Sequence, residues 1–158
     1  MQRAAIIGAK VVIVVALLLS LTGQGFFVPL LAAEAVREMP EAAGLRWPGI
    51  IGCIAIILCV QVALLVMWRL LSMVARDRIF DARAFGLVGI MIACALAASA
   101  LFAVALVVLA VASALPPVVA IFLIMGFFGA AGIGLLLVVM RGLLTKATDL
   151  EHEMAEVV

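Results

Sequence analysis

Hydrolysis, redox chemistry and metal binding all need histidines, thiols, carboxylates or hydroxyls gathered at usable spacing. The chain holds one histidine, His152, set among Asp149, Glu151, Glu153 and Glu156 near its C-terminal end. That position rules out bis-histidine haem ligation and leaves no Ser–His or Cys–His pair within the apolar part of the chain. His152 reads as a solvated residue. The three cysteines, Cys53, Cys59 and Cys94, fall in apolar runs with no CxxC spacing and no histidine nearby. They are expected to act as small buried hydrophobes rather than as metal ligands. Gly126, Gly129, Gly132 and Gly134 follow one another closely, yet a phosphate-binding loop needs a preceding strand and a basic or hydroxyl partner. Their flanks are Phe127, Phe128 and Leu135. The expectation is therefore a protein that is not an enzyme, with no catalytic residues, no metal site and no cofactor.

The densest charge in the chain lies elsewhere, in Arg76-Asp77-Arg78-Ile79-Phe80-Asp81-Ala82-Arg83, at mid-chain between two hydrophobic halves. What surrounds it sets the class. Hydrophobic residues make up 70% of the chain and charged ones 12%, against roughly 45–50% and about 25% in soluble domains. This is the composition of an integral membrane protein. With 158 residues there is room for several spans of about 20 residues and none for a separate soluble domain. The net charge of +1 gives no reason to expect nucleic acid or an acidic substrate.

Four spans follow from the apolar runs, at about 11–31, 48–68, 85–111 and 118–140. The first is too long for the roughly 7–15-residue core of a signal peptide and is expected to remain in the protein. Within it, Thr22-Gly23-Gln24-Gly25 followed by Pro29 weakens a helix, which lipid tolerates only where neighbouring groups satisfy the freed backbone. Residues 32–47 carry mixed charge with Pro40 and Gly44 and read as a solvent loop, with room for a short helical turn. Trp47 and Trp68 frame the second span as interfacial tryptophans do, and Gln61 inside it is expected to make an interhelical hydrogen bond. Asp81 is placed to cap a helix starting near Ala82. The small residues Ala93 to Ala100 invite a close helix neighbour, and Ala114-Leu115-Pro116-Pro117 makes a turn short enough to force an antiparallel hairpin of spans three and four. Gly126, Gly129 and Gly132 are expected to face a neighbouring helix, with Gly129 and Gly132 against the alanine-rich stretch of span three. Beyond Arg141, Leu143, Ala147, Leu150, Met154 and Val157 keep a helical stripe, so span four either continues out of the membrane or gives way to a new helix capped by Thr148 and Glu151.

Orientation comes from counting basic residues. Arg3, Lys10, Arg69, Arg76, Arg78, Arg83, Arg141 and Lys146 lie at the two ends and in the middle loop 69–84, against Arg37 and Arg46 in the first connection. Both termini are expected in the cytoplasm. The fold class is thus an all-α membrane protein, a single domain over 1–158 with four transmembrane helices in two antiparallel hairpins, a cytoplasmic loop at 69–84 and a cytoplasmic tail at 141–158.

Two segments carry a family resemblance. The run from Arg78 through Ile79, Phe80, Asp81, Ala82, Arg83, Ala84, Phe85, Gly86, Leu87 and Val88 to Gly89, and the exit of span four as Met140-Arg141-Gly142-Leu143-Leu144-Thr145-Lys146-Ala147, resemble the bacterial four-helix family known as domain of unknown function 2975. The resemblance implies a small multi-pass inner-membrane protein with no established reaction, of a kind often encoded beside a helix-turn-helix regulator. Many such proteins have a short tail ending in Asp-Leu-Thr-Val or a similar segment, whereas this chain ends with Leu150 through Val158.

Two functions are compatible with these features. One is a regulatory or interaction module that uses its cytoplasmic face, with Arg76, Arg78, Asp81, Arg83, Glu151 and Glu153 as candidate contact residues. The other is a small transporter or oligomeric channel subunit whose path is lined by Gln24, Gln61, Ser99 and the glycines of span four. The absence of any Asp, Glu, Lys or Arg from the span cores argues against an ion or proton path. The partners to expect are the bilayer, a second copy of the chain and a cytoplasmic protein, the chain's own middle-loop arginines being the nearest surface for the acidic tail.

Overall fold

The computed structural model describes residues 2–38, 40–75 and 82–156, with side chains over 4–37, 43–73 and 86–146 and at Pro40 and Ala75. The described residues form helices and turns and no strand, as hydrocarbon requires of a chain that must pair its own backbone groups. Helix α1 spans Gln2–Thr22, a π-helical turn Gly23–Phe27, α2 Val28–Glu38, a 3-10 turn Pro40–Leu45, α3 Arg46–Val74, α4 Ala82–Val111 and α5 Pro117–Glu156. Four segments are long and apolar enough to cross a membrane: Ala4–Arg37, Ala43–Met73, Gly86–Val111 and Pro117–Lys146. The shortest has 26 residues, which at about 1.5 Å each covers roughly 39 Å, more than a hydrocarbon core of about 30 Å.

The weak patch in the first span is where the helix changes its hydrogen-bond pattern. Pro29 lacks the N–H that would bond the carbonyl of Gly25, and its ring crowds that carbonyl. The chain answers by widening, with the Val28 N–H bonded to the Gly23 carbonyl, and helix resumes as α2. A π turn of this kind inside a helix is uncommon and is often found at functional positions. The stretch 32–47, expected as a solvent loop, differs from that reading: it stays helical to Glu38 and then forms the 3-10 turn. Leu30, Leu31, Ala32, Ala33, Ala35 and Val36 are enough apolar helix-compatible residues to carry the helix on, and the mixed charges at its end belong to its last turn.

The α4–α5 turn is a Schellman motif. Ala114 N–H reaches the Leu109 carbonyl and Ser113 N–H the Ala110 carbonyl, both at 3.1 Å. Ser113 takes the left-handed position, with φ of 52°, where glycine is the usual residue. Pro117 then opens α5 at the first helical position, where a missing N–H costs nothing. The hairpin expected from Pro116 and Pro117 is the most extensively packed pair in the molecule. α3 packs on α4 and the α1–α2 segment on α3, so the helices associate in chain order.

Little of this is buried. Among the described residues the buried hydrophobic side chains are Ile13, Val66 and Ala98, while Phe122 is 76% exposed, Met125 70% and Phe128 67%. Leaving each such side chain in water would forgo roughly 1.5–3 kcal/mol, and a continuous belt of them is tolerable only against lipid. The cysteines follow the same pattern and correct the expectation of burial: Cys53 is exposed, Cys59 and Cys94 are half-buried.

The glycines of α5 divide by face. A Cβ built on Gly126 falls 2.6 Å from the Phe102 ring, and one on Gly134 meets Leu96 at 3.4 Å and Ala95 at 3.5 Å. Gly129 and Gly132, expected against the alanine-rich stretch of α4, would meet nothing within 4 Å. The contact face repeats every four residues, through Gly126, Ala130 and Gly134, and Gly129 and Gly132 are rotated off it. Gly126→Ala is therefore expected to destabilise the protein by about 1–3 kcal/mol through overpacking, seen as a lower melting temperature in detergent. Phe102→Leu should recover part of the loss. Gly129→Leu should leave the melting temperature unchanged, and a drop as large as that of Gly126→Ala would contradict this assignment of faces.

Candidate functional site

Polar side chains in a span must find partners within the protein, and three do so where α1 meets α3. Gln61, 9% exposed, projects from mid-α3. Its Nε2 donates to Ser20 Oγ at 3.0 Å and, more distantly, to Gln24 Oε1 at 3.4 Å. Ser20 Oγ donates in turn to the Leu17 carbonyl at 2.9 Å, and Gln24 Nε2 to the Ile54 carbonyl at 3.4 Å. Ser20 and Gln24 are four residues apart, which in a regular helix puts both on one face; Gln24 sits inside the π turn. The cluster thus ties the irregular part of the first span to the regular helix beside it. Bonds of this kind between spans contribute about 0.6–2 kcal/mol each. Gln61 as an interhelical bond matches the sequence reading, and the pairing with Ser20 is new.

Ser99, 6% exposed, donates from α4 to the Phe127 carbonyl of α5 at 3.3 Å. It therefore belongs to a different helix contact from Gln24 and Gln61. Of the three polar residues that could line one path, Gln24 and Gln61 therefore meet and Ser99 lies apart, and among the described residues no ionisable group joins them. Among the described residues no three of His, Cys, Asp and Glu gather in a way that would hold a metal.

The end of the bundle bearing the middle loop is shaped by cations against flat surfaces. Lys10 Nζ lies 5.2 Å from the centre of the Trp68 ring, a cation–π contact at the depth where interfacial tryptophans sit. Arg141 crosses α4 at Gly89, where an added Cβ would come within 3.3 Å of Nη1. Gly89 leaves room for the guanidinium. That contact also fixes register: α4 begins seven residues before Gly89, hence roughly level with Thr148 of the antiparallel α5. Of the candidate contact residues, Arg76, Arg78 and Asp81 lie outside the described residues, and so does the proposed Asp81 cap. Arg83 belongs to the first turn of α4, and Glu151 and Glu153 to the last turns of α5. The helix of span four continues without a break, so Thr148 and Glu151 cap no new helix.

Residues 30–158 match the family model described as Protein of unknown function (DUF2975). The chain belongs to that family. No curated protein and no solved structure matches it. In this DUF2975 member the match takes in α3, α4, α5, Gln61, the middle loop and the tail, while Ser20 and Gln24 precede it.

Sequence reasoning had Gln61 without its partners because nothing in the residues sets the register of α1 against α3. The four-residue spacing of Ser20 and Gln24, both polar in an apolar run, was the available signal. Gln61→Leu is expected to lower stability in detergent by about 1 kcal/mol, leaving Gln24 Oε1 and Ser20 Oγ without their donor. Ser20→Ala should cost measurably less in the Gln61→Leu background than alone. Equal costs in the two backgrounds would show that the pair is not coupled.

Proposed function

We propose that the protein is a membrane-embedded interaction module of a bacterial inner membrane, working from a cytoplasmic face built from the middle loop and the end of α5. The observation that carries this reading is the continuity of α5, 40 residues from Pro117 to Glu156. At about 1.5 Å per residue it is some 60 Å long, roughly twice the hydrocarbon thickness. A helix unbroken from the far turn to the tail transmits position from membrane to solvent as one rod.

The chemistry of the projecting part favours a protein partner over lipid. Leu143, Ala147, Leu150 and Met154 recur at helical spacing, as a helix does when it covers a surface. Asp149, Glu151, Glu153 and Glu156 accompany them, and an anionic leaflet repels such acids where it would attract Lys or Arg by about 1 kcal/mol each. On this reading Glu151 and Glu153, in the last turns of α5, lie at the same end of the bundle as Arg83 at the start of α4, and a cytoplasmic protein docks at that end, with Arg76, Arg78 and Asp81 of the middle loop as further candidate contacts, without any reaction being catalysed.

Orientation is tested first. A reporter after Val158 or near Asp77 is expected to read cytoplasmic and one near Glu41 external; an external signal at Asp77 would remove the cytoplasmic face altogether. For docking, a photoreactive amino acid at Glu153 in the full chain, in its own membrane, should yield a discrete protein adduct that weakens when Arg78 and Arg83 are changed to Glu. Adducts with lipid alone, or none, would overturn the module.

A further inference from the structure

At the opposite end of the molecule an apolar groove of about 370 Å³ opens between α2, α3 and the α4–α5 turn. Val28, Ala32 and Val36 line it from α2, Ile50 and Cys53 from α3, and Leu109 from α4. Among the described residues Arg46 is the one charged residue along it. We propose that this groove is a lipid site, holding an acyl chain of an anionic phospholipid whose phosphate pairs with Arg46.

Depth, charge and room each support this occupant. Arg46 opens α3, and its neighbour Trp47 is 70% exposed, the placement of an aromatic residue at the headgroup level. A cation at headgroup depth with hydrocarbon-lined space beside it matches a phospholipid in both its parts. Among the described residues, no hydrogen bond or ion pair engages the Arg46 guanidinium, which is exposed. A planar cationic fork of donors at that depth suits a phosphate, and most of all one whose headgroup carries no ammonium to cancel its charge. The space comes partly from Gly49, one turn into α3 and part of the lining, where an added Cβ would meet nothing within 4 Å. The volume lies within the roughly 300–1,000 Å³ of small-molecule sites.

Gly49 also supplies the test, since it lines the groove and an added Cβ there meets nothing within 4 Å, so a larger side chain has room to enter. Native mass spectrometry would be run on the full chain in mild detergent with phosphatidylglycerol and phosphatidylcholine of equal chain length at equal concentration. The wild-type protein is expected to carry one phosphatidylglycerol in about fivefold preference over phosphatidylcholine, as one arginine beside a net-negative headgroup supplies when the competing lipid cancels its phosphate with an ammonium. Arg46→Gln should bring the two lipids to the same level, and Arg46→Lys should keep part of the preference. Gly49→Leu should reduce both adducts while the melting temperature holds. The site is overturned if the wild-type protein shows no preference, if Arg46→Gln retains it, or if Gly49→Leu leaves both adducts undiminished. A dimer in place of the lipid adduct, abolished by Gly49→Leu, would overturn it too and give the groove to a second copy. Because the groove lies at the end away from the middle loop, none of these outcomes depends on docking at the tail.

Discussion

A backbone amide or carbonyl left unpaired in hydrocarbon costs several kcal/mol, and every other feature of this molecule is arranged around that constraint. It makes each crossing a helix and allows irregular backbone only where protein groups are near. The Gly23–Phe27 turn is the place where the constraint is hardest to meet, because Pro29 withholds a donor there. It is also the place where α1 and α3 exchange hydrogen bonds through Gln24 and Gln61. The polar cluster and the π turn coincide along the first span. The glutamines keep a weakened helix beside a strong one.

Without a hydrophobic drive between spans, association falls to close approach and hydrogen bonding. The two helix contacts described in most detail use these in different proportion. α4 and α5 approach through Gly126 under the Phe102 ring, Gly134 against Ala95 and Leu96, and Gly89 under Arg141, with Ser99 bonded across. α1 and α3 rely on Ser20, Gln24 and Gln61, together with Lys10 over Trp68. The first contact is a fit of shapes along a length and the second is a few polar ties. The C-terminal hairpin is accordingly the more extensively packed unit, and the first span is held to it through α3.

Sequence pattern alone made the main architecture legible, and the reasons are physical. Composition, the tryptophans at 47 and 68 and the uncharged Pro116-Pro117 turn each constrain a crossing or a connection by themselves, and the four spans and the hairpin stand in the structure. Features that depend on two elements at once were not legible. Whether Gly126 or Gly129 meets α4 depends on the rotation of α5 about its axis, and the three- and four-residue spacings of its glycines serve two faces equally well. The bond between Gln61 and Ser20 depends on the register of α1 against α3. The groove at Arg46 is formed where the α2–α3 corner meets the α4–α5 turn, which is distant in sequence. The helix persisting to Glu38 is hard to see for a different reason: Glu34, Arg37 and Glu38 resemble loop charge, although such residues are good helix formers and Pro40 is the true obstacle.

The two ends of the molecule follow from the same economy of length. The spans exceed the hydrocarbon thickness by several residues, so some helix must lie outside it. At the end of the α2–α3 and α4–α5 turns the excess is spread over short connections, the Schellman turn at Ser113 and the 3-10 turn at Pro40–Leu45, and the helices there leave a groove open between them. At the other end the excess is concentrated in α5. With the chain reversing quickly at one end and running on at the other, the structure offers lipid-scale space where the helices turn back and helix-scale surface where α5 projects. A ligand of one hydrocarbon chain suits the first and a folded protein suits the second.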